Sequence, residues 1–160
     1  MTCLGIEQSK QLSVFLSSKN IQYIVSSPFT RAYDSVLPLG NKLQIEIMKD
    51  ERLSERILSS TNHPDWLEML KKTFVDLDVS YEGGESSRTA ANRALNVIED
   101  LLESKYETFA IATHGNLMSL ILNYYDKQFH FEQWKALTNP DVFKIVFHEN
   151  TPVIERIWIQ

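Results

Sequence analysis

The chain has 160 residues, 43% of them hydrophobic and 23% charged, with 16 basic against 21 acidic side chains and a formal net charge of −5. A chain of this length buries roughly 70% of the surface it exposes when unfolded. That suffices for one domain over 1–160 without disulfides, and the composition excludes global disorder. The negative balance gives no electrostatic case for nucleic acid or an anionic membrane as partner. It leaves room for a local basic pocket that takes a small anion. The single cysteine, Cys3, excludes an internal disulfide framework and a cysteine-based zinc site, and fits a reducing compartment. No apolar run approaches the ~20 residues needed to span a bilayer. Met1 to Lys10 carries polar and acidic groups where a signal peptide needs an apolar stretch. The expectation is a soluble cytoplasmic domain with no membrane partner, no metal and no cofactor.

In chain order, the spacing predicts a helix from about Gly5 to Ser18, with Leu12, Phe15 and Leu16 on one face. Ile21-Gln22-Tyr23-Ile24-Val25 reads as a buried strand that stops at Ser26-Ser27-Pro28. A helix follows from Thr30 to Leu43, with a kink or early end expected at Pro38. Ile45 to Met48 is a weaker strand. Between Asp50 and Tyr81 the clearest feature is a short helix over Pro64 to Leu70, with proline in its first turn. Gly83-Gly84 is a turn. From Glu85 onward, Ala91, Ala94, Leu95, Ile98, Leu101 and Leu102 recur at three- and four-residue spacing and define a helix. Thr108 to Thr113 is a short strand that breaks at His114-Gly115, and Asn116 to Tyr125 resumes as an apolar helix. Val142 to His148 and Val153 to Ile159 read as two strands joined by a Glu149-Asn150-Thr151 turn, a hairpin added to the sheet. Strands alternating with helices predict an α/β fold: a three-layer, doubly wound, mostly parallel sheet with helices on both faces. Such domains commonly open on a strand that becomes central; here the chain begins a few residues before a helix.

In open α/β sheets, ligands bind beyond the carboxyl ends of the strands. Two strands here end in residues suited to an anion. Arg31 sits one turn into the helix after Ser26-Ser27-Pro28, where its planar fork matches phosphate or carboxylate oxygens. A surface ion pair is the alternative. His114 sits at a strand–helix corner, where it can donate to phosphate, exchange a proton, or simply cap the helix. Gly115 lets the backbone turn tightly and approach a ligand. His63, His130 and His148 read as surface or half-buried residues, and no pair of histidines has metal-motif spacing. Glu55, flanked by Arg52 and Arg56, is an ordinary ion pair or an acid beside a bound anion. Glu85 is best read as a carboxylate favoured at a helix start.

Taken together, these segments resemble the histidine phosphatase superfamily, which includes the cofactor-dependent phosphoglycerate mutases. Leu4-Gly5-Ile6-Glu7-Gln8 looks like the opening of the family's first helix, with Cys3 and Ser9 departing from its pattern. Ser26-Ser27-Pro28-Phe29-Thr30-Arg31-Ala32 is similar to Ser-Ser-Pro-x-x-Arg-Ala. Arg52-Leu53-Ser54-Glu55 resembles the segment that holds the proton donor. Gly84-Glu85-Ser86 matches a recurrent Gly-Glu-Ser, and Thr113-His114-Gly115 looks like the motif of the second active-site histidine. The resemblance implies that Arg31 binds phosphate and that His114 stabilises the transferring group. It makes Glu55 the general acid, with Glu85 as the other candidate, and brings Asn116 and the Gly115 N–H to phosphate or substrate. The partner is a small phosphorylated substrate or free phosphate.

The family's nucleophile is the histidine of an Arg-His-Gly motif, which accepts the phosphoryl group. That motif does not occur in this sequence. Three readings follow: an N-terminally truncated piece of an active phosphatase, which Met1 to Leu4 starting inside a family motif supports; a natural non-catalytic relative that binds phosphorylated ligands or a partner; and a structural domain sharing only the fold. As written, the chain is expected to show little or no turnover and to keep an oxyanion site at Arg31 and His114. Loss of a first strand is expected to leave an exposed sheet edge that invites a homodimer. Phosphatase is favoured over mutase because the cover expected over the pocket, Trp66, Met69, Leu70 and Phe74, is short.

Overall fold

The structure, a computed structural model, describes residues 2–148 and 151–158. Its elements are α1 (Cys3–Leu16), β1 (Tyr23–Ser26), α2 (Thr30–Leu43), β2 (Ile47–Lys49), a short 3-10 turn at Glu51–Leu53, α3 (Trp66–Val75), α4 (Ser87–Leu102), β3 (Phe109–Ala112), α5 (Gly115–Tyr125), α6 (Phe131–Lys135), β4 (Phe143–His148) and β5 (Thr151–Arg156). Strands β2, β1 and β3 form a parallel sheet in that order, with β1 central. Helices flank both of its faces, as the alternation of strands and helices predicts.

Successive side chains of a strand point to opposite faces, and β1 uses this to divide the interior in two. Ile24 is fully buried against Leu12 and Leu16 of α1 and Val36 and Leu39 of α2. Its neighbour Val25 faces the larger cluster built on Ala94, Leu95 and Ile98 of α4 and Leu117, Leu120 and Ile121 of α5. Burying a side chain such as Ile24 or Leu39 contributes about 1.5–3 kcal/mol, so the two clusters clamp a short strand that four residues of propensity would not hold. Helix starts follow their caps. The Thr2 hydroxyl accepts from the Gly5 N–H at 3.1 Å, and the Ser86 hydroxyl accepts from the Thr89 N–H at 3.1 Å. Ser86, not Glu85, is therefore the cap of α4. Helix α2 continues past Pro38 to Leu43 instead of ending early, and closes on Gln44 in the left-handed region (φ 57°). Gly40 suits the place where α2 crosses β2: a Cβ would come to 2.9 Å from the Ile47 side chain and 3.0 Å from the Ile45 carbonyl, and the neighbours would have to shift.

The carboxy-terminal pair differs from expectation. Strands β4 and β5 form their own antiparallel sheet, with Ile145 opposite Ile154 and Val146 opposite Val153. Among the described residues this hairpin makes no ladder to β3. It is held by side chains instead: Trp158 packs edge-on against Phe15 with centroids 5.4 Å apart, and Phe147 against Tyr125 at 5.4 Å. Ile145 and Phe147 join the α4–α5 cluster, whereas Val142 and Trp158 join the α1–α2 cluster. The outer edge of β3 thus has no strand partner among the described residues. The expected turn at Glu149-Asn150 and the strand end at Ile159 lie outside the described residues.

Candidate active site

The β1–β3 register sets the site. Tyr23 pairs with Phe109 and Ser26 with Ala112, and the Ser27 N–H donates to the Ala112 carbonyl at 2.8 Å. Ser27 and His114 therefore leave the sheet side by side at its carboxyl end. His114 is only 7% exposed and Ser27 is fully buried. Arg31, in the first turn of α2, reaches back and donates from Nε to His114 Nδ1 at 3.1 Å. A guanidinium cannot accept, so Nδ1 is the acceptor and the imidazole proton sits on Nε2, 2.8 Å from Ser27 Oγ. Ser27 Oγ also accepts from the Phe29 N–H at 3.3 Å. The same geometry leaves His114 unable to act as a base toward Ser27.

Glu55 closes the other side. The Asp50 N–H donates to the Ser26 carbonyl at 3.0 Å, and Thr113 Oγ1 donates to the Leu53 carbonyl at 2.8 Å. These bonds tie the 3-10 turn to the ends of β1 and β3. Glu55 follows, and its carboxylate caps α5: Oε1 accepts from the Arg56 N–H at 2.9 Å and the Leu117 N–H at 3.1 Å, and Oε2 from the Asn116 N–H at 3.4 Å. His114 occupies the N-cap position of α5 without capping it through its side chain. Neither flanking guanidinium forms an ion pair with the Glu55 carboxylate. Arg52 forks onto Asp50 and reaches Asp100, each at 2.8 Å. Arg56, 5% exposed, donates to the Glu85 carbonyl at 3.0 Å and Thr73 Oγ1 at 2.8 Å.

Glu85 is held by a residue the sequence did not single out. Arg93, two turns into α4, donates to both Glu85 carboxylate oxygens at 3.0 and 2.7 Å and to the Arg52 carbonyl at 2.6 Å. Its eight-residue spacing from Glu85 is the only sequence signal, and a weak one. Asn116 has a buried side-chain nitrogen with no hydrogen-bond partner. Gly115 is exposed and its φ lies outside the left-handed region; a Cβ there would meet Leu137 Cδ1 at an ordinary 3.7 Å, so the corner does not require glycine to turn. Of the other histidines, His63 lines a cleft of about 410 Å³ with Leu58, Ser59, Thr61, Asn62, Trp66 and Met69. His130 precedes α6 and His148 ends β4. In the expected pocket cover, Leu70 and Phe74 instead face the core beneath α3.

Burial, reinforced by the positive charges of Arg31 and Arg93, lowers the His114 pKa to about 4. Burial raises that of Glu55, against the opposing backbone N–H bonds and the charge of Arg31. In both groups burial works against the charged form. Phe29 gives α2 no side-chain cap. The first turn of α2 therefore presents backbone N–H groups that an oxyanion can satisfy. Among the described residues no group of three or more His, Cys, Asp or Glu could hold a metal ion, and no helix is long and apolar enough to cross a membrane.

The family model of the histidine phosphatase superfamily (branch 1) matches residues 1–160, and the chain belongs to that superfamily. Phosphoserine phosphatase 1 of Hydrogenobacter thermophilus is 25% identical over 124 residues, covering 69% of this chain and 56% of the relative. The chain spans less than two thirds of the length of the curated relatives it matches. Among solved structures, mycobacterial glucosyl-3-phosphoglycerate phosphatase in complex with VO3 superposes with a TM-score of 0.80 at 23% identity, covering 97% of this chain and 84% of that one. Phosphoserine phosphatase of Entamoeba histolytica gives 0.76 at 18% identity, covering 96% and 81%. At these identities the structures share the fold.

The His114 environment has a pH signature. Unfolded, the imidazole takes a proton near pH 6.5; folded, only near 4. Between these values the unfolded chain binds more protons, so stability falls as pH drops from 6.5 to 4, by on the order of 1–3 kcal/mol. Glu55 acts oppositely: its contribution is present at low pH and is lost as pH rises through its native pKa. Urea unfolding at pH 6.5 and 4.5 is expected to show a smaller acid-side loss in His114→Gln than in wild type. Equal losses would contradict the buried, neutral imidazole.

Proposed function

We propose that this chain carries the phosphate-binding and proton-donating side of a phosphate monoester hydrolase that works through a phosphohistidine. The observation that carries the reading is the meeting of Arg31, His114 and Glu55, from segments far apart in sequence, at the carboxyl ends of β1 and β3. In this reading the distal nitrogens of Arg31 take the phosphate oxygens. The His114 Nε2–H moves from Ser27 to the transferring group, and the buried Asn116 amide and the Gly115 N–H complete the donor set. Phosphoryl transfer is mainly positioning and charge stabilisation, which such donors supply. As the phosphorus–oxygen ester bond breaks, Glu55 protonates the departing alkoxide. Its Oε2, engaged only by the 3.4 Å bond from Asn116, is the oxygen with room for that proton. Glu85 is the weaker candidate for acid, because both its oxygens are taken by Arg93.

The substrate class is a small phosphate monoester, in keeping with relatives named as phosphatases. Hydrolysis is favoured over a mutase reaction because Leu70 and Phe74, expected over the pocket, belong to the core instead, and the single Cys3 fits a cytoplasmic setting. The sequence has no Arg-His-Gly motif, and the side-chain partners of Arg31 and His114 are each other, Ser27 and Phe29, so in this reading the pocket binds phosphate while the attacking histidine is not supplied by these groups. The same observation favours a second reading, a non-catalytic module that binds phosphorylated ligands. With the 160-residue chain, hydrolysis of p-nitrophenyl phosphate is expected to stay at background. Calorimetric titration with orthophosphate is expected to show binding that Arg31→Ala weakens roughly tenfold or more. Turnover abolished by His114→Ala would overturn the first expectation, and absence of phosphate binding the second.

The edge of β3, which has no strand partner among the described residues, supports a homodimer formed by edge pairing. Sedimentation at micromolar concentration is expected to show a dimer, and a clean monomer would contradict it.

A further inference from the structure

Phe29 stands at the mouth of the phosphate site yet belongs to none of the roles assigned so far. It is the residue between the Ser27-Pro28 exit from β1 and the first turn of α2, and its N–H is tied to Ser27 Oγ at 3.3 Å. That tie holds the Phe29 backbone beside Ser27. The ring packs edge-on against the His114 imidazole with centroids 5.3 Å apart and an interplanar angle of 66°. The Arg31 guanidinium carbon lies 5.1 Å from the ring centre, within cation–π range. Phe29 is nevertheless 41% exposed, next to a histidine that is 7% exposed. An aromatic ring that touches both anion-binding side chains and keeps much of its surface in water borders the space where the organic half of a monoester must leave the phosphate. A phenylalanine at that place has no donor or acceptor to offer a hydroxyl. What it offers is flat apolar surface.

Resting on the reading of Arg31 and His114 as an oxyanion site, we infer that Phe29 is a specificity-determining residue: it packs against the alcohol portion of the substrate and selects phosphate monoesters whose alcohol is flat and apolar next to the phosphate, of aryl or benzylic type, over small polyol phosphates. Two contributions separate cleanly. The cation–π contact orients Arg31 for any oxyanion. The exposed ring surface acts only on ligands that carry an apolar group.

Calorimetric titration with three non-hydrolysable or product anions tests this: orthophosphate, methylphosphonate and phenylphosphonate. Wild type is expected to bind phenylphosphonate roughly fivefold more tightly than methylphosphonate, the size of one aromatic contact. Phe29→Ala is expected to abolish that preference, while orthophosphate binding weakens only about two- to threefold. Phe29→Tyr, which keeps the ring, is expected to retain the preference, and guards against a loss caused by disturbed folding. Equal affinity of wild type for the two phosphonates, or a preference that survives Phe29→Ala, would overturn the inference and leave the oxyanion site standing. Failure of wild type to bind all three anions would overturn the oxyanion site and this inference with it.

Discussion

The hydrogen bond from Arg31 Nε to His114 Nδ1 is the contact on which the site depends, and it is a product of strand register. Arg31 lies just after β1 and His114 just after β3, separated by 83 positions in the chain. Only a parallel pairing that sets Ser26 beside Ala112 brings them to the same end of the sheet. A slip of one residue would reverse which side chains of β1 meet each cluster, sending Ile24 and Val25 to the wrong faces. The two hydrophobic clusters that enforce the register therefore also enforce the geometry of the site. Once the pair is formed, its consequences are electrostatic. A guanidinium facing Nδ1 leaves the imidazole no place for a second proton, and burial adds to the cost of charging it. His114 is thereby made a fixed donor through Nε2, and the positive charge of the site is concentrated on arginine.

Glu55 couples the two halves of this arrangement. Its carboxylate receives the first free N–H groups of α5, the helix that begins at His114, while the turn before it is bonded to the ends of both β1 and β3. The residue proposed to deliver a proton is thus also the one that fixes the helix that follows the histidine. Two opposed influences set its protonation. Burial favours the neutral acid, whereas the backbone donors and the nearby Arg31 favour the anion. The raised pKa shows that burial prevails in this pocket.

Much of this was legible in the sequence where the signal is local. The limits of α2, Thr30 to Leu43, follow from a strand that stops at Ser-Ser-Pro and from the apolar spacing that comes next. The placing of Arg31 and His114 at strand ends required only the alternation of strands and helices. What the sequence did not disclose depends on tertiary pairing. Arg52 and Arg56 flank Glu55 in the chain, yet residues one and three positions apart in a turn of this kind project in different directions, and their partners are Asp50, Asp100 and Thr73. Arg93 and Ser27 acquire their roles from groups 8 and 87 positions away. The five-residue α6 is too short for periodicity to register. The hairpin of β4 and β5 reads as part of the main sheet because its alternation is genuine; that it packs by rings rather than by a backbone ladder is invisible in alternation alone.

The central claim, that Arg31 and Ser27 clamp His114 as a neutral donor, is most directly tested by nitrogen-15 correlation spectroscopy of the histidine side chains at neutral pH. His114 is expected to show a proton on Nε2 and an unprotonated, hydrogen-bond-accepting Nδ1, and its signals to change when Arg31 is replaced by alanine. A His114 that is doubly protonated at pH 7, or that carries its proton on Nδ1, would contradict it.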